Sequence, residues 1–351
     1  MAHANELALR GWGRTYPNPL VGAVVVRDRT EIGAGWHAEY GGPHAEVIAL
    51  AAAGAPARGA TLYVTLAPCT HQGKQPPCVD AILAAGIVRV VVATRDPNPA
   101  AAGGLELLRG NGIAVEVGVL APQVARRNVR FLRQFTSPAR PFVAIKLAVS
   151  MDGMIADAQG HSRWLSNESA RAWVHWLRAG FGAIGLGARS AIADDARLTV
   201  RGDVQPRVAP TRVIFDRTGR LTAAHPVFTN AATVPVVVVV GGAAAEASRG
   251  ALRNTGAEIL VADEVSVALG RLAERGIDSV LVEGGGRLAG AMLAAGLVDR
   301  VYQIQCPLWL GAGTPAWIGL GTPAIESVKR WQVTDRFGLG DSGDVMIELE
   351  P

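Results

Sequence analysis

His44 and Glu46 stand two positions apart, and Cys69, preceded by Pro68, is followed nine positions later by Cys78. One imidazole and two thiols are soft-to-borderline ligands. On a tetrahedral ion such as zinc they leave one position open, as in a catalytic site. Zinc lowers the pKa of water to about 7, so a nucleophile forms at neutral pH. Glu46 is close enough in sequence to His44 to move a proton from that water to a departing group without binding metal. A closed structural zinc is the alternative, with His71 in the loop between the cysteines as fourth ligand. The expectation is a catalytic site, since Pro68-Cys69 follows a strand-like run and Cys78 opens a helix-like one. Iron or cobalt would accept the same ligands.

A second cluster, Glu283-Gly284-Gly285-Gly286-Arg287, follows an apolar run and precedes LAGAML. Strand, glycine turn, helix: amides at Gly284–Gly286 could meet a phosphate at the helix N-terminus. The spacing is not the G-x-G-x-x-G of a dinucleotide fold, and a plain tight turn is the other reading.

The elements that must hold these residues read as alternating strands and helices. Strands are expected at Val21–Arg27, Ala60–Leu66, Ile87–Ala93 and Ile113–Val117, with helices at Ala45–Ala53 and Cys78–Gly86 and a further helical run at Leu105–Gly110. A second series has strands at Phe142–Ala148, Ala183–Leu186, Arg212–Asp216, Val234–Val240, Glu258–Val261 and Ser279–Val282. Its helices are expected at Ser169–Arg178, Glu246–Asn254, Val265–Arg275 and Leu288–Ala295. Two α/β domains follow, the first a three-layer one. The 351 residues suit two domains, and 49% hydrophobic against 18% charged residues excludes a disordered chain. Three cysteines cannot form a disulfide framework, which fits a reducing, cytoplasmic setting. The opening run MAHANELALRGWGR lacks the apolar core of a secretory leader, and AATVPVVVVVGGAAA is too short and broken to span a membrane.

The net charge of +4 is unevenly spread. Residues 121–140 carry five arginines and no acid, while the flanking stretches nearly balance. Val124, Asn128, Phe131, Leu132 and Phe135 fall near one helical face, with Arg126, Arg127, Arg130 and Arg133 around it. A nucleic-acid patch is one reading. The preferred one is a solvated connecting helix ending at Ser137-Pro138. The partition is therefore 1–120, a linker at 121–140, and 141–351.

His-x-Glu followed by Pro-Cys and a second Cys is the signature of zinc nucleobase deaminases, here with a longer cysteine spacing. Together with Asn18-Pro19-Leu20-Val21-Gly22, GWH at 35–37, HAEV at 44–47, PCTHQGKQPPC at 68–78 and RDPNP at 95–99, it resembles the deaminase half of the bifunctional riboflavin-biosynthesis deaminase–reductase family. The resemblance implies a cytidine-deaminase-like fold and one zinc per chain on His44, Cys69 and Cys78, with Glu46 catalytic. It further implies a phosphoribosyl-pyrimidine substrate. Asn18 and His37 would contact the pyrimidine, and His71 and Lys74 the ribose or phosphate. Ala67 stands where the family usually has Glu, which would alter substrate fit or rate.

VAIKLAVS, MDGMIA, HSRWLS, DDARLTVR and VEGGGRLAGAML, in that order, resemble the reductase half of the same family, whose fold is similar to dihydrofolate reductase. NADPH would then reduce the ribosylamino group to ribitylamino, after the deamination. The resemblance places NADPH on Ala148, Trp164, Ser190, Asp194 and the segment Gly285, Gly286, Arg287, Leu288, Ala289, Gly290, Ala291. It places substrate on Ser162, Arg178, Leu198, Arg201 and Glu283. Two arginines suit a phosphate. Lys146 and Asp194 are the candidates for electrostatic and proton-handling roles around the imine. Met154, Ala196 and Arg217 depart from the family pattern; Arg217 could bind a cofactor 2′-phosphate or obstruct the pocket. The resemblance also implies a homodimer through the reductase half, and no nucleic-acid or membrane partner. Two other readings remain: a protein with one active half or another pyrimidine substrate, and a non-enzymatic zinc module binding nucleic acid. Cys306 reads as a buried thiol.

Overall fold

The computed structural model describes residues 1–136, 139–321 and 324–351. The chain forms two compact units, Met1–Ser137 with Pro206–Val208, and Pro138–Gln205 with Ala209–Pro351.

The first unit runs α1 (Ala2–Ala8), β1 (Gly22–Arg27), β2 (Thr30–Trp36), α2 (Ala45–Ala53), β3 (Thr61–Leu66), α3 (Cys78–Ala85), β4 (Arg89–Thr94), α4 (Gly104–Gly110), β5 (Ala114–Val117), α5 (Ala121–Arg127) and α6 (Val129–Arg133). The sheet order is β2-β1-β3-β4-β5, antiparallel around β1 and parallel from β3 to β5. Strand alternation explains the three layers. Ala23 and Val25 join the core cluster containing Ala49, Leu50 and Ile82, while Val24 packs with Ala4 and Leu7 of α1 on the other face.

The sequence reading missed β2, and the reason is physical. TEIGAGW carries Gly33 and Gly35, which weaken a strand signal. Those glycines are what let α2 lie against β2: a Cβ on Gly33 would stand 2.4 Å from the Ala49 carbonyl oxygen, and one on Gly35 2.7 Å from that of Ala45. No real Cβ tolerates such distances, so the close approach of α2 requires glycine there.

The segment set apart as a connecting helix belongs to the first unit. It is two short helices broken at Asn128, with Val124, Asn128 and Phe131 buried. The Asn128 amide binds the Leu20 backbone twice, accepting from Leu20 N at 2.8 Å and donating to Leu20 O at 2.9 Å. Arg127 donates to the Asn5 carbonyl and Arg130 stacks 3.6 Å from the Tyr16 ring centroid. These arginines serve the unit's own packing. The expected helix end at Ser137-Pro138 lies outside the described residues.

The second unit runs β6 (Phe142–Ser150), β7 (Met154–Asp157), α7 (Glu168–Ala179), β8 (Ala183–Gly187), α8 (Ala188–Asp194), β9 (Thr211–Phe215), β10 (Val236–Val240), α9 (Glu246–Arg253), β11 (Glu258–Val261), α10 (Val265–Ala273), β12 (Ser279–Glu283), α11 (Gly286–Ala294), β13 (Arg300–Cys306), β14 (Gly313–Pro315), β15 (Gln332–Gly338) and β16 (Val345–Glu350). Among the described residues a nine-stranded sheet has the order β11-β10-β9-β8-β12-β6-β13-β16-β15. It is parallel from β11 to β13, and β16 and β15 add antiparallel at one end. Cores on both faces bury it, one including Ile145, Leu269 and Met292, the other Ile184, Ile214 and Leu252. The expected strands are present. The sequence reading did not anticipate β7 or β13–β16.

Gly33→Ala drives a methyl into the α2 backbone. It is expected to destabilise the first unit by about 2 kcal/mol, the range of overpacked cores, seen as a lower first transition in thermal unfolding followed by circular dichroism.

Candidate active sites

In the first unit, His44 is the N-cap of α2, Cys69 follows β3, and Cys78 is the first residue of α3. His44 Nδ1 lies 3.1 Å from Cys78 Sγ and 3.6 Å from Cys69 Sγ. The three donor atoms lie within 4.8 Å of one another, with both cysteines buried. Cys69 is lowered to about 4 by its hydrogen bond with Cys78 and then by His44, while Cys78 is pushed up by the same bond. An imidazole and two clustered thiols, one readily ionised, fit zinc.

Glu46 is buried in the first turn of α2, and burial raises its carboxyl above the ordinary range. It lines a cavity of about 260 Å³ with His44 and Cys69. Asn18, His37, His71 and Lys74 line the same cavity, so all the expected first-unit residues meet there except Cys78, which sits beside His44. His37 Nδ1 donates to the Pro43 carbonyl at 3.0 Å, which leaves Nε2 to accept from the Asn18 amide at 3.1 Å. That pairing aims the Asn18 oxygen away from His37. Desolvation lowers the His37 pKa and keeps this neutral form. His71 Nδ1 is buried with no partner, so the cavity wall holds a polar atom in want of a ligand. Lys74 Nζ lies 4.2 Å from the Tyr40 ring centroid at the Gly41 edge.

Sequence reasoning missed Tyr40, Gln75, Asp96 and Asn98 as lining residues. Asp96 accepts from Asn98 N at 2.9 Å, and burial raises its pKa. The RDPNP motif was the available signal. Ala67 also lines the cavity, so that departure falls in the site wall.

In the second unit, strand register does the positioning. Glu283, at the C-terminal end of β12, pairs with Lys146 in the middle of the parallel strand β6. Such ends are where open α/β sheets bind ligands. Lys146 Nζ lies 3.5 Å from Glu283 Oε2. Arg178 of α7 donates from Nε to Glu283 Oε1 at 2.5 Å and from Nη2 to Oε2 at 2.8 Å. Burial alone would raise the Glu283 pKa, but Arg178 and then Lys146 hold it at about 2. Asp194 belongs to a different group: its Oδ1 accepts from Ser162 Oγ at 3.3 Å, and its carbonyl accepts from Arg163. Of the two proton-handling candidates, Lys146 is thus ion-paired with Glu283 and Asp194 is hydrogen-bonded to Ser162.

Gly284 and Gly285 have φ of 70° and 80°, the left-handed turn that starts α11. A Cβ on Gly285 would meet Ser190 Oγ at 2.8 Å, so this glycine and Ser190 adjoin. The Leu288 and Ala289 amides bond to the Gly285 carbonyl, leaving first-turn amides at Gly286 and Arg287 for an anion. That open turn fits a cofactor phosphate. Of the same segment, Ala289 is fully buried and Gly290 is pressed against the Ile318 backbone, so neither side faces solvent. Ala291 follows them inside α11. Trp164 is 67% exposed, with the Arg171 guanidinium 4.5 Å from its ring centroid. Ala148 lies on β6 and Leu198 is buried with φ of 51°. Cys306 is a buried thiol, pushed up to about 12 by burial.

The remaining departures are each accommodated. Ala196 N donates to the Ala191 carbonyl at 3.1 Å, a bond proline could not make. Met154 Cγ sits against Gly313 of β14. Arg217 is exposed, its stem against Gly241, so it does not obstruct a buried pocket.

A zinc-site deaminase unit joined to a nucleotide-dependent reductase unit is the class these features define. Residues 1–94 match the cytidine and deoxycytidylate deaminase zinc-binding region, and residues 141–337 match the RibD C-terminal domain. The riboflavin biosynthesis protein RibD of Aquifex aeolicus is 39% identical over 94% of this chain and 92% of its own length. The Escherichia coli protein of the same name is 38% identical over 89% of this chain and 88% of its own. A crystal structure from Thermotoga maritima, titled a diaminohydroxyphosphoribosylaminopyrimidine deaminase/5-amino-6-(5-phosphoribosylamino)uracil reductase, superposes with a TM-score of 0.80. It is 37% identical and covers 100% of this chain and 97% of that one. The chain belongs to the RibD family of riboflavin-biosynthesis proteins. Its N-terminal fold is cytidine-deaminase-like with a zinc site, and its C-terminal fold is that of the family's NADPH-dependent reductase. No helix among the described residues is long and apolar enough to cross a membrane.

Glu283→Gln strips the buried Arg178 and Lys146 of their counter-charge and is expected to cost about 3 kcal/mol at pH 7. The folded-state pKa is depressed to about 2, so the ion-pair stabilisation is complete above the unfolded carboxylate pKa and fades as pH falls toward that value. Denaturant melts should show the variant's deficit shrinking between about pH 4.5 and pH 2.

Proposed function

We propose that the first unit hydrolyses the 2-amino group of 2,5-diamino-6-(5-phosphoribosylamino)pyrimidin-4-one. The second then reduces the ribosylamino side chain of that product to ribitylamino. One observation carries the reading: a buried carboxyl, a three-ligand metal set and the Asn18–His37 pair converge on one cavity with Lys74 at its edge.

Zinc held by His44, Cys69 and Cys78 would supply the Lewis acid that makes water nucleophilic at neutral pH. Glu46 takes the proton released by the attacking water and returns it to the amine, which leaves as ammonia while the ring carbon becomes a carbonyl. The oriented Asn18 amide holds the pyrimidine edge, and burial in the cavity excludes competing water. His71 meets the ribose, and Lys74 neutralises the phosphate.

In the second unit, NADPH would supply the hydride to C1′ of the ring-opened imine, with its phosphate on the first turn of α11 beside Ser190, and Trp164, Ala148 and Asp194 alongside. Lys146 provides positive potential at the imine nitrogen, which takes up a proton from solvent as the hydride adds to C1′. Glu283 holds Lys146 and Arg178 in place. Arg201, exposed, grips the substrate phosphate, with Ser162 and Leu198 flanking. The exposed Arg217 suits the cofactor 2′-phosphate. A homodimer through the second unit is supported by edge strand β15, with exposed Val333 and Phe337. A reducing, cytoplasmic setting leaves Cys69 and Cys78 reduced for zinc and Cys306 a buried thiol.

Incubating the protein anaerobically with the diaminopyrimidine and NADPH should release ammonia first and then consume NADPH. Ammonia alone would restrict the chain to its deaminase half, and neither signal with zinc bound would point to another pyrimidine, consistent with Ala67 in the wall. Glu46→Gln should retain zinc and lose ammonia release by about a thousandfold, the scale of a lost acid–base group. Lys146→Ala should slow NADPH consumption from the uracil intermediate and leave ammonia release intact.

A further inference from the structure

We propose that His175 is a positioning residue of the reductase site, its ring holding residues 199–201 so that Arg201 stands ready for the substrate phosphate. The inference rests on the substrate reading given above.

Helix α7 presents His175 and Arg178 one turn apart, on the same face. The Arg201 backbone N–H donates to His175 Nδ1 at 3.2 Å. Arg178 Nη1 donates to the Thr199 carbonyl at 2.8 Å and lies 3.4 Å from the same His175 nitrogen. Two side chains of one helix turn thus hold the backbone on either side of Val200. The segment has no helix or strand of its own to supply those bonds. Its near end is anchored separately by the buried Leu198 in the left-handed region.

Arg178 is committed to this scaffold, with Glu283 on one side of its guanidinium and Thr199 on the other. Arg201 is the exposed cation of the pair. A phosphate ligand on an unsupported loop would lose conformational freedom when substrate binds, and one pinned in advance does not. Because Nδ1 accepts, the ring proton belongs on Nε2 and the ring must be neutral. The surroundings enforce neutrality: burial, then Arg178 and Arg201, lower the pKa to about 4 against the opposing pull of Glu283 and the Thr199 backbone.

Three substitutions separate the roles of the two ring nitrogens. His175→Asn places an amide oxygen near the position of Nδ1, His175→Gln reaches toward that of Nε2, and His175→Phe keeps the ring without an acceptor. The readouts are KM and kcat for NADPH oxidation with the phosphoribosylamino-uracil, and hydrogen exchange of peptides covering 199–201. Ammonia release from the same preparations controls for folding. His175→Phe and His175→Gln should raise KM about tenfold with a smaller change in kcat, and speed exchange at the Arg201 amide. His175→Asn should restore most of both. Rescue by Gln and not Asn would overturn the proposal, since Nε2 would then touch substrate directly. Unchanged exchange in His175→Phe would overturn it too. If the wild-type chain does not turn over this pyrimidine, the substrate reading fails by itself, and the exchange comparison still decides whether His175 holds the loop.

Discussion

A carboxylate stripped of water is tolerated in a protein interior only if cations replace the lost hydration. Glu283 is that carboxylate in the second unit, and much of the unit's geometry follows from satisfying it. The parallel register of β12 on β6 supplies Lys146 from the neighbouring strand. The docking of α7 supplies Arg178, whose planar fork fills both carboxylate oxygens. Once Arg178 is fixed, its remaining nitrogen reaches the Thr199 carbonyl, so the loop carrying Arg201 inherits its placement from the same ion cluster. The cluster therefore joins a strand end, a helix and a loop at the edge where ligands enter an open α/β sheet. Hydrophobic packing on both faces of the sheet fixes its layers, but it is the charge requirement that fixes which polar groups face one another.

The first unit gathers its polar groups around the ligand set of His44, Cys69 and Cys78. Its three ligand atoms come from two helix starts and a strand end, which can converge only if α2 lies close on the sheet. Gly33 and Gly35 permit that approach, and His44 at the N-cap of α2 is delivered by it. The segment carrying Asn18 is held from the far side, where Asn128 imitates a backbone pairing with Leu20. A polar residue in an otherwise apolar helical face thus serves the site from 110 positions away in sequence.

That distance explains what could and could not be read from the sequence. The parallel strands were legible because Val-rich runs such as Val236–Val240 have no other comfortable fate than a buried sheet. The ligand set was legible because imidazole and thiols at those spacings serve few other purposes. Strand β2 was hidden because its glycines serve α2 and not the strand. The Arg-rich stretch was misplaced as a linker because periodicity shows an apolar face without showing what covers it; Asn128 and Phe131 turn out to be covered by the unit itself. The meeting of Lys146 with Glu283 needed the sheet order, since β12 comes late in the chain yet lies beside β6.

The departures from the family pattern fall into two physical kinds, and the difference bears on which half of the chain they can affect. Ala196 gains a hydrogen bond that proline would forbid, Met154 replaces a charge with a contact on Gly313, and Arg217 points to solvent. None of the three touches Glu283 or Lys146, so the charge cluster of the second unit is intact around them. Ala67 differs in kind, because it puts a methyl where the family pattern has a carboxylate, in the wall of the cavity that also holds Glu46 and His71. A smaller, less charged wall changes what the cavity can select without disturbing the ligands or the proton carrier. Of these four departures, Ala67 is therefore the one that lies in the wall of the cavity holding His44, Glu46 and Cys69.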